Sequence, residues 1–316
     1  MGPRKRAARR GGGGPRRLNM KAGFVSLIGR PNAGKSSLLN RIIGEKLAIV
    51  SDKPQTTRHR IIGVKNYADG QAVFVDTPGI HRPLHRMNVR MVDSAVDTLD
   101  EVDVVGVVID GSESPGAGLR YLLDVVKHTK AKTILIVNKI DLVKKHKLLP
   151  VLDGLSKERD WHAIVPVSAL SGDNVSHLEG VILDALPEGE ALYPADYLTD
   201  QPERNMVAEM IREQVLRVTR DELPFSTAVL IDKFQEPTDE DHMTRIWATI
   251  LVERDSQKPI VIGRGGEMIR EIGTSARHQI ETFLQNRVFL DLRVAVREQW
   301  REDERTLDQL GLKNHD

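Results

Sequence analysis

The octapeptide GRPNAGKS, Gly29 to Ser36, has the spacing of a phosphate-binding loop. Gly29 and Gly34 let backbone N–H groups close around phosphates, with Arg30, Pro31, Asn32 and Ala33 between them. Lys35 is placed to reach the β- and γ-phosphates and Ser36 to ligate Mg²⁺. Alone, this pattern also fits an adenylate-type loop or an accident. Its companions decide between nucleotides. DTPG, with Asp76, Thr77, Pro78 and Gly79, ends an apolar run, where a carboxylate faces Mg²⁺ and a glycine N–H faces the γ-phosphate. NKID, with Asn138, Lys139, Ile140 and Asp141, ends another. Asp141 is positioned to accept from guanine N1–H and the 2-amino group, Asn138 to support the ring edge, and the Lys139 stem to cover the base. Ser168, Ala169 and Leu170 can direct the Ala169 N–H at guanine O6. An adenine loses these paired contacts, and sites that lose them discriminate by roughly 10⁴-fold or more. Four such motifs in chain order, each after a strand, specify GTP.

Mechanistic positions lie around these motifs. Lys35, Thr57, Gly79 and Asn32 form the candidate catalytic set, and Ser36, Thr57 and Asp76 the candidate Mg²⁺ ligands. Thr57 lies in KPQTTRHR, Lys53 to Arg60, a polar stretch suited to a nucleotide-ordered switch, with Thr56 as second choice. GIHRPLHRMN after the third motif is the other expected switch. Ile80 stands where many GTPases place a glutamine that orients water. An isoleucine cannot do so, and hydrolysis must use another device or a partner. Asn32 has two readings: its amide oxygen holds a monovalent cation such as K⁺ beside the phosphates, or its side chain braces the loop.

A second glycine-rich turn, GRGG from Gly263 to Gly266, lacks the lysine and serine of the first. A GxxG turn between two helices in an αββααβ pattern matches a KH fold, whose loop grips the backbone of about four single-stranded nucleotides. Gly263 and Gly266 allow close approach, and Arg264 and Gly265 face phosphates. From 205 to 300 there are thirteen Arg or Lys against sixteen acids, yet Arg254, Lys258, Arg264, Arg270 and Arg277 cluster near the turn. That charge pattern predicts local, groove-directed RNA binding instead of a broad electrostatic stripe.

The elements that must hold these residues are legible in outline. Apolar strands ending at each nucleotide motif alternate with helical stretches over Met87 to Leu99, Gly118 to Lys130 and Val175 to Leu186, which argues for a parallel-rich sheet with helices on both faces. The proline-punctuated 188–204 reads as a linker. The expected organisation is a basic tail (1–20), an α/β P-loop GTPase domain (21–187), the linker (188–204), an α+β type II KH domain (205–300) and a C-terminal helix or tail (301–316). The tail holds seven Arg or Lys and no acid; removing those from 46 basic residues leaves 39 against 45 acids, a net of −6 for the rest. It reads as disordered, either a solvated extension, an arm attracted to RNA or membrane, or a stretch before a true start at Met20. The chain has no cysteine, which excludes disulfides and thiolate metal sites and fits a reducing compartment. No apolar run approaches the ~18 residues of a spanning helix.

GRPNAGKSSLLN, QTTRHR, DTPGIH, NKIDL, VSAL, YLTDQPER, ELPFS, VIGRGGEMIREIG and WREDERTLDQLG together resemble the bacterial Era family from about Lys21 to Leu312. The resemblance implies a cytoplasmic, monomeric GTPase with GTP or GDP and Mg²⁺ as ligands, nucleotide contacts at 29–36, 76–79 and 138–141, and RNA contacts around 263–266. It further implies binding to the 3′ end of 16S rRNA, a role in 16S rRNA processing and 30S subunit biogenesis, and peripheral association with the inner membrane. The arginine-rich tail falls outside it. GRGG departs from relatives that place an amide or lysine in the loop, which leaves base preference open. Two other functional classes remain at this stage. One is a GTP-gated RNA-binding module with negligible hydrolysis, favoured by Ile80. The other is a small-molecule kinase, which NKID argues against.

Overall fold

The computed structural model describes residues 20–53, 56–80, 85–113, 116–220, 223–239 and 241–312. The basic tail before Met20 and His81 to Leu84 of the second expected switch lie outside these. In the first half the strands are β1 (Lys21–Gly29), β2 (Ile61–Asn66), β3 (Gly70–Asp76), β4 (Val104–Asp110), β5 (Lys132–Asn138) and β6 (Ala163–Pro166). Their order is β2-β3-β1-β4-β5-β6. All pairings are parallel except β2 with β3, so the parallel-rich sheet carries one antiparallel edge. A short turn joins β2 to β3, and such a connection cannot make a parallel crossover. Runs such as Val104–Val108 and Ile134–Val137 are apolar throughout because helices cover both faces. On one face lie α1 (Lys35–Ile43) and α5 (Val175–Ala185), presenting Leu38, Leu39, Ile42 and Leu178 to the core. On the other are α2 (Arg86–Asp97), α3 (Ala117–Val125) and α4 (Lys145–Ser156). Both α2 and α3 end in a 3₁₀ turn, Thr98–Asp100 and Val126–His128.

The chain after Leu186 is laid along the antiparallel edge. Val64 N–H donates to Leu198 O at 2.9 Å, Thr199 Oγ1 to Ile62 O at 2.6 Å and Gln201 Nε2 to Arg60 O at 3.0 Å. These bonds occupy ladder groups that β2 would otherwise expose, and Tyr193 stacks on Tyr197 above them. The segment thus covers a sheet edge as well as connecting the two halves.

The second half contains α6 (Glu203–Val218), a single turn α7 (Leu223–Ser226), β7 (Ala228–Gln235), β8 (Met243–Val252), α8 (Lys258–Ile262), α9 (Glu267–Leu284) and β9 (Arg287–Val296). The sheet order is β7-β8-β9, with β8 and β9 parallel. Met210, Ile211 and Val215 of α6 and Ile272, Ala276 and Ile280 of α9 pack on Ile246, Ala248 and Ile250 of β8. Beyond β9 a final helix, α10 (Glu304–Gln309), is capped by Asp303, which accepts from Thr306 N–H at 2.9 Å.

Candidate nucleotide and RNA sites

The phosphate loop runs from the end of β1 to the first turn of α1. Gly34 has φ 90°, and a Cβ there would lie 2.2 Å from Asn138 Nδ2. Only glycine fits, on both conformational and steric grounds. Lys35 is buried, and its Nζ donates to Gly29 O and Arg30 O, both at 3.1 Å. Burial lowers its pKa to about 8, partly opposed by Asp76. Asp76, also buried, has its pKa raised to about 6 by desolvation, against the pull of Lys35 and of hydrogen bonds from Ser36, Thr57 and Thr77. Ser36 Oγ lies 2.9 Å from Asp76 Oδ2 and 2.7 Å from Thr57 Oγ1. Three oxygen donors from three separate segments therefore meet at one point beside the lysine. Asp76 Oδ1 is buried and makes no hydrogen bond. Such an all-oxygen set suits a hard divalent cation.

Neighbouring residues are placed differently from their motif partners. Thr56 turns its hydroxyl to Lys53 O at 2.6 Å, away from the cluster that Thr57 joins. Asn32, at φ 65°, donates from Nδ2 to Asp52 O at 2.7 Å, tying the loop to the start of the switch. Gly79 lies so close to Pro31 that a Cβ would sit 2.9 Å from its nitrogen. Thr77 bonds back to Leu27 O, and Ile80, 1% exposed, packs into the core with Ile28 and Leu99.

At the base-recognition end, Lys139 takes φ 63° and its Nζ donates to Asp110 Oδ2 at 2.6 Å. Burial opposes the Asp110 charge, but hydrogen bonds from Lys139 and Ser112 hold its carboxyl below the usual range. Asp141 accepts from Ser168 Oγ at 2.5 Å. Asn138 Nδ2 donates to Ala33 O and its Oδ1 accepts from Ala169 N, both at 2.9 Å. It braces three loops, and the Ala169 N–H expected to face guanine O6 is bonded to this side chain here. Leu170 is exposed, and its carbonyl accepts from Arg41. Pro31 and Gly34 line the same cleft as Lys35, Ser36 and Thr57. Arg30 points away to pair with Glu113 at 2.8 Å.

The second glycine turn joins α8 to α9. Gly263, Gly265 and Gly266 have φ of 76°, 59° and 80°. A Cβ on Gly263 would lie 2.7 Å from Met268 N, whereas Gly265 and Gly266 face open space. Arg254, Lys258, Arg264, Arg270 and Arg277 are all exposed. Among the described residues none of these five forms an ion pair. Ile260, 52% exposed on α8, adds an apolar surface that the sequence reading did not single out.

A family profile described as 50S ribosome-binding GTPase matches residues 24–139, and a KH domain profile matches 222–301. The chain is 49% identical to GTPase Era of Geobacter metallireducens over 291 residues, 92% of this chain and 97% of the relative. For GTPase Era of Heliobacterium modesticaldum the figures are 47% over 292 residues, with the same coverage. The chain belongs to the GTPase Era family. A crystal structure of an Aquifex aeolicus Era variant bound to GDP and AlF₄⁻ is 39% identical, with a TM-score of 0.89 over 93% of this chain and 99% of that one. Era in complex with MgGDPNP and nucleotides 1506–1542 of 16S ribosomal RNA gives 39% and 0.90 at the same coverage.

What the motifs of this Era-family chain did not reveal is how its halves meet. The residues around Thr57 are held by the second half. Arg212 of α6 donates to Thr56 O, and Arg58 Nη1 donates to Thr227 O at 2.8 Å. The Arg58 guanidinium lies 5.6 Å from the ring centroid of Trp300, which is fully buried and donates from Nε1 to Ser226 O at 2.9 Å. Glu213 accepts from Lys46 Nζ at 2.6 Å and Val50 N at 3.0 Å. On α2, Met87 and Met91 pack with Trp300, Leu307 and Leu312. The only sequence signals were a tryptophan in a charged segment and arginines inside an amphipathic helix.

Proposed function

We propose that this GTPase hydrolyses GTP to GDP and phosphate and uses the nucleotide state to control RNA binding through its KH unit. The observation that carries the switch is the convergence of Ser36, Thr57 and Asp76 at 2.7–3.4 Å beside buried Lys35, with Thr57 on a segment gripped by the second half. These three oxygens are the proposed Mg²⁺ ligands; a bound Mg²⁺ would neutralise phosphate charge. Lys35 and the loop N–H groups from Gly29 to Ser36 bind phosphates, Gly79 meets the γ-phosphate, and Asp141, Lys139 and the 168–170 turn enclose guanine. Ile80 is locked in the core, so water must be oriented by backbone groups and the switch. A K⁺ ion held at the Asn32 amide oxygen is our proposal for part of that task.

On the RNA side, Gly263 to Gly266 with Lys258, Arg264, Arg270 and Arg277 hold the backbone of single-stranded RNA. The similarity to the rRNA-bound Era structure supports the 3′ end of 16S rRNA as the target. We place the chain in 16S rRNA processing and 30S subunit biogenesis, as a cytoplasmic monomer with peripheral contact to the inner membrane. Crosslinking and sequencing of bound RNA in the GTP and GDP states, with GTP turnover measured alongside, tests this. Enrichment of the 16S 3′ end in one nucleotide state is expected; identical RNA occupancy in both states refutes the switch.

A further inference from the structure

Between the switch, α6, β7 and the C-terminal segment lies a cavity of about 210 Å³, far above the ~15 Å³ that admits one water. Among the described residues its charged lining is unbalanced: Arg58, Arg204 and Arg212 stand with a single carboxylate, Glu209, and His59, the Arg204 guanidinium lying over the Phe234 ring at 5.6 Å. Arg212 consumes that carboxylate in a two-point pair, Nε to Oε1 at 2.8 Å and Nη2 to Oε2 at 2.6 Å. Arg58, 4% exposed, is left with carbonyl acceptors and the Trp300 face. Its Nε has no hydrogen-bond partner, nor has Arg212 Nη1.

A guanidinium does not escape burial by losing its proton, and buried charges are ordinarily paired. Arg204 and Asn205 are exposed, so the cavity is open to solvent ions.

We propose that this cavity is an anion site for a phosphate-bearing dianion or trianion of diphosphate size, distinct from the nucleotide loop. Among the described residues, three guanidiniums against one carboxylate leave two positive charges for such a ligand to balance. The room exceeds what a lone chloride would use. Because Arg58 and His59 adjoin Thr57 while the opposite walls belong to β7 and the C-terminal segment, occupancy would tie the switch to the second half.

The test titrates pyrophosphate, orthophosphate and sulfate, at matched ionic strength and fixed free Mg²⁺, into full-length protein saturated with GDP, following melting temperature and calorimetry. Pyrophosphate should give a saturable rise, with affinity at least about tenfold above sulfate and orthophosphate. Arg204→Gln should weaken it about tenfold, and Ala208→Leu, which fills the cavity, should abolish it, both with GDP affinity unchanged. Arg204 is exposed, so that variant folds even if Ala208→Leu does not. Equal responses to pyrophosphate and sulfate, or an unweakened pyrophosphate response in Arg204→Gln, overturn the site. Orthophosphate binding as tightly as pyrophosphate overturns the diphosphate assignment.

Discussion

Replacing Arg264 and Gly265 together by aspartate separates the electrostatics of the GRGG turn from its geometry. Gly265 has φ 59°, and a Cβ there meets nothing within 4 Å. Left-handed backbone costs an ordinary residue about 1–2 kcal/mol, and aspartate is among the better tolerated. The fold should therefore lose about 1 kcal/mol. The same change moves the charge of an exposed turn from one positive to two negative. Like charges brought together across an interface cost several kcal/mol. Since about 1.4 kcal/mol is a factor of ten, single-stranded RNA affinity should fall by roughly 10²-fold or more. Loss of one phosphate contact should also lower the salt slope of log affinity by about 0.7. Gly263→Ala supplies the contrast, because its Cβ would meet Met268 Cβ at 2.6 Å and N at 2.7 Å. With φ 76° and ψ 170° it sits in a region almost reserved for glycine, at about 1–3 kcal/mol. It should weaken RNA binding through a distorted turn while leaving the salt slope nearly unchanged. The assay is RNA affinity by fluorescence anisotropy at several salt concentrations, with GDP affinity and denaturant midpoint as controls. RNA affinity of the aspartate variant within twofold of the parent would refute the backbone-grip assignment. Loss of GDP binding with RNA intact would mean the two glycine loops had been exchanged.

Asp141→Asn should trade guanine for xanthine preference, because an amide can donate to the xanthine 2-oxo group. Nucleotide competition checks it, and full GTP affinity with no gain for XTP would contradict the base assignment. Sodium in place of potassium should slow GTP hydrolysis, and Asn32→Ala should erase the difference; equal rates in both salts leave Asn32 only its bond to Asp52 O. Trp300→Ala removes a fully buried ring, and Trp to Ala in a core typically costs about 3–5 kcal/mol. Hydrogen exchange should show the segment after β9 opening first, while GDP affinity holds; uniform protection would mean that Trp300 does not anchor it.

Local chemistry made much of this protein legible from its sequence. Phosphate loops, strand ends and glycine turns depend on backbone conformations that a few neighbouring residues dictate. GRPNAGKS, DTPG and NKID therefore fixed both the nucleotide and the chain order of β1, β3 and β5, while GRGG between two periodic stretches located the α8–α9 turn. Tertiary structure decided what each side chain touches. In the extended switch, Thr56 and Thr57 face opposite ways, and only packing determined that Thr57 meets Ser36. Asn138 became a brace between Ala33 and Ala169 because β5 and the loops after β1 and β6 converge there, a contact spanning 105 residues on one side and 31 on the other. The same holds for Arg58 against Trp300, for Glu213 beneath Lys46, and for the stretch after Leu186 that pairs with β2. Each is a long-range meeting of ordinary residues without a local pattern, and its partner is chosen by how the two halves pack.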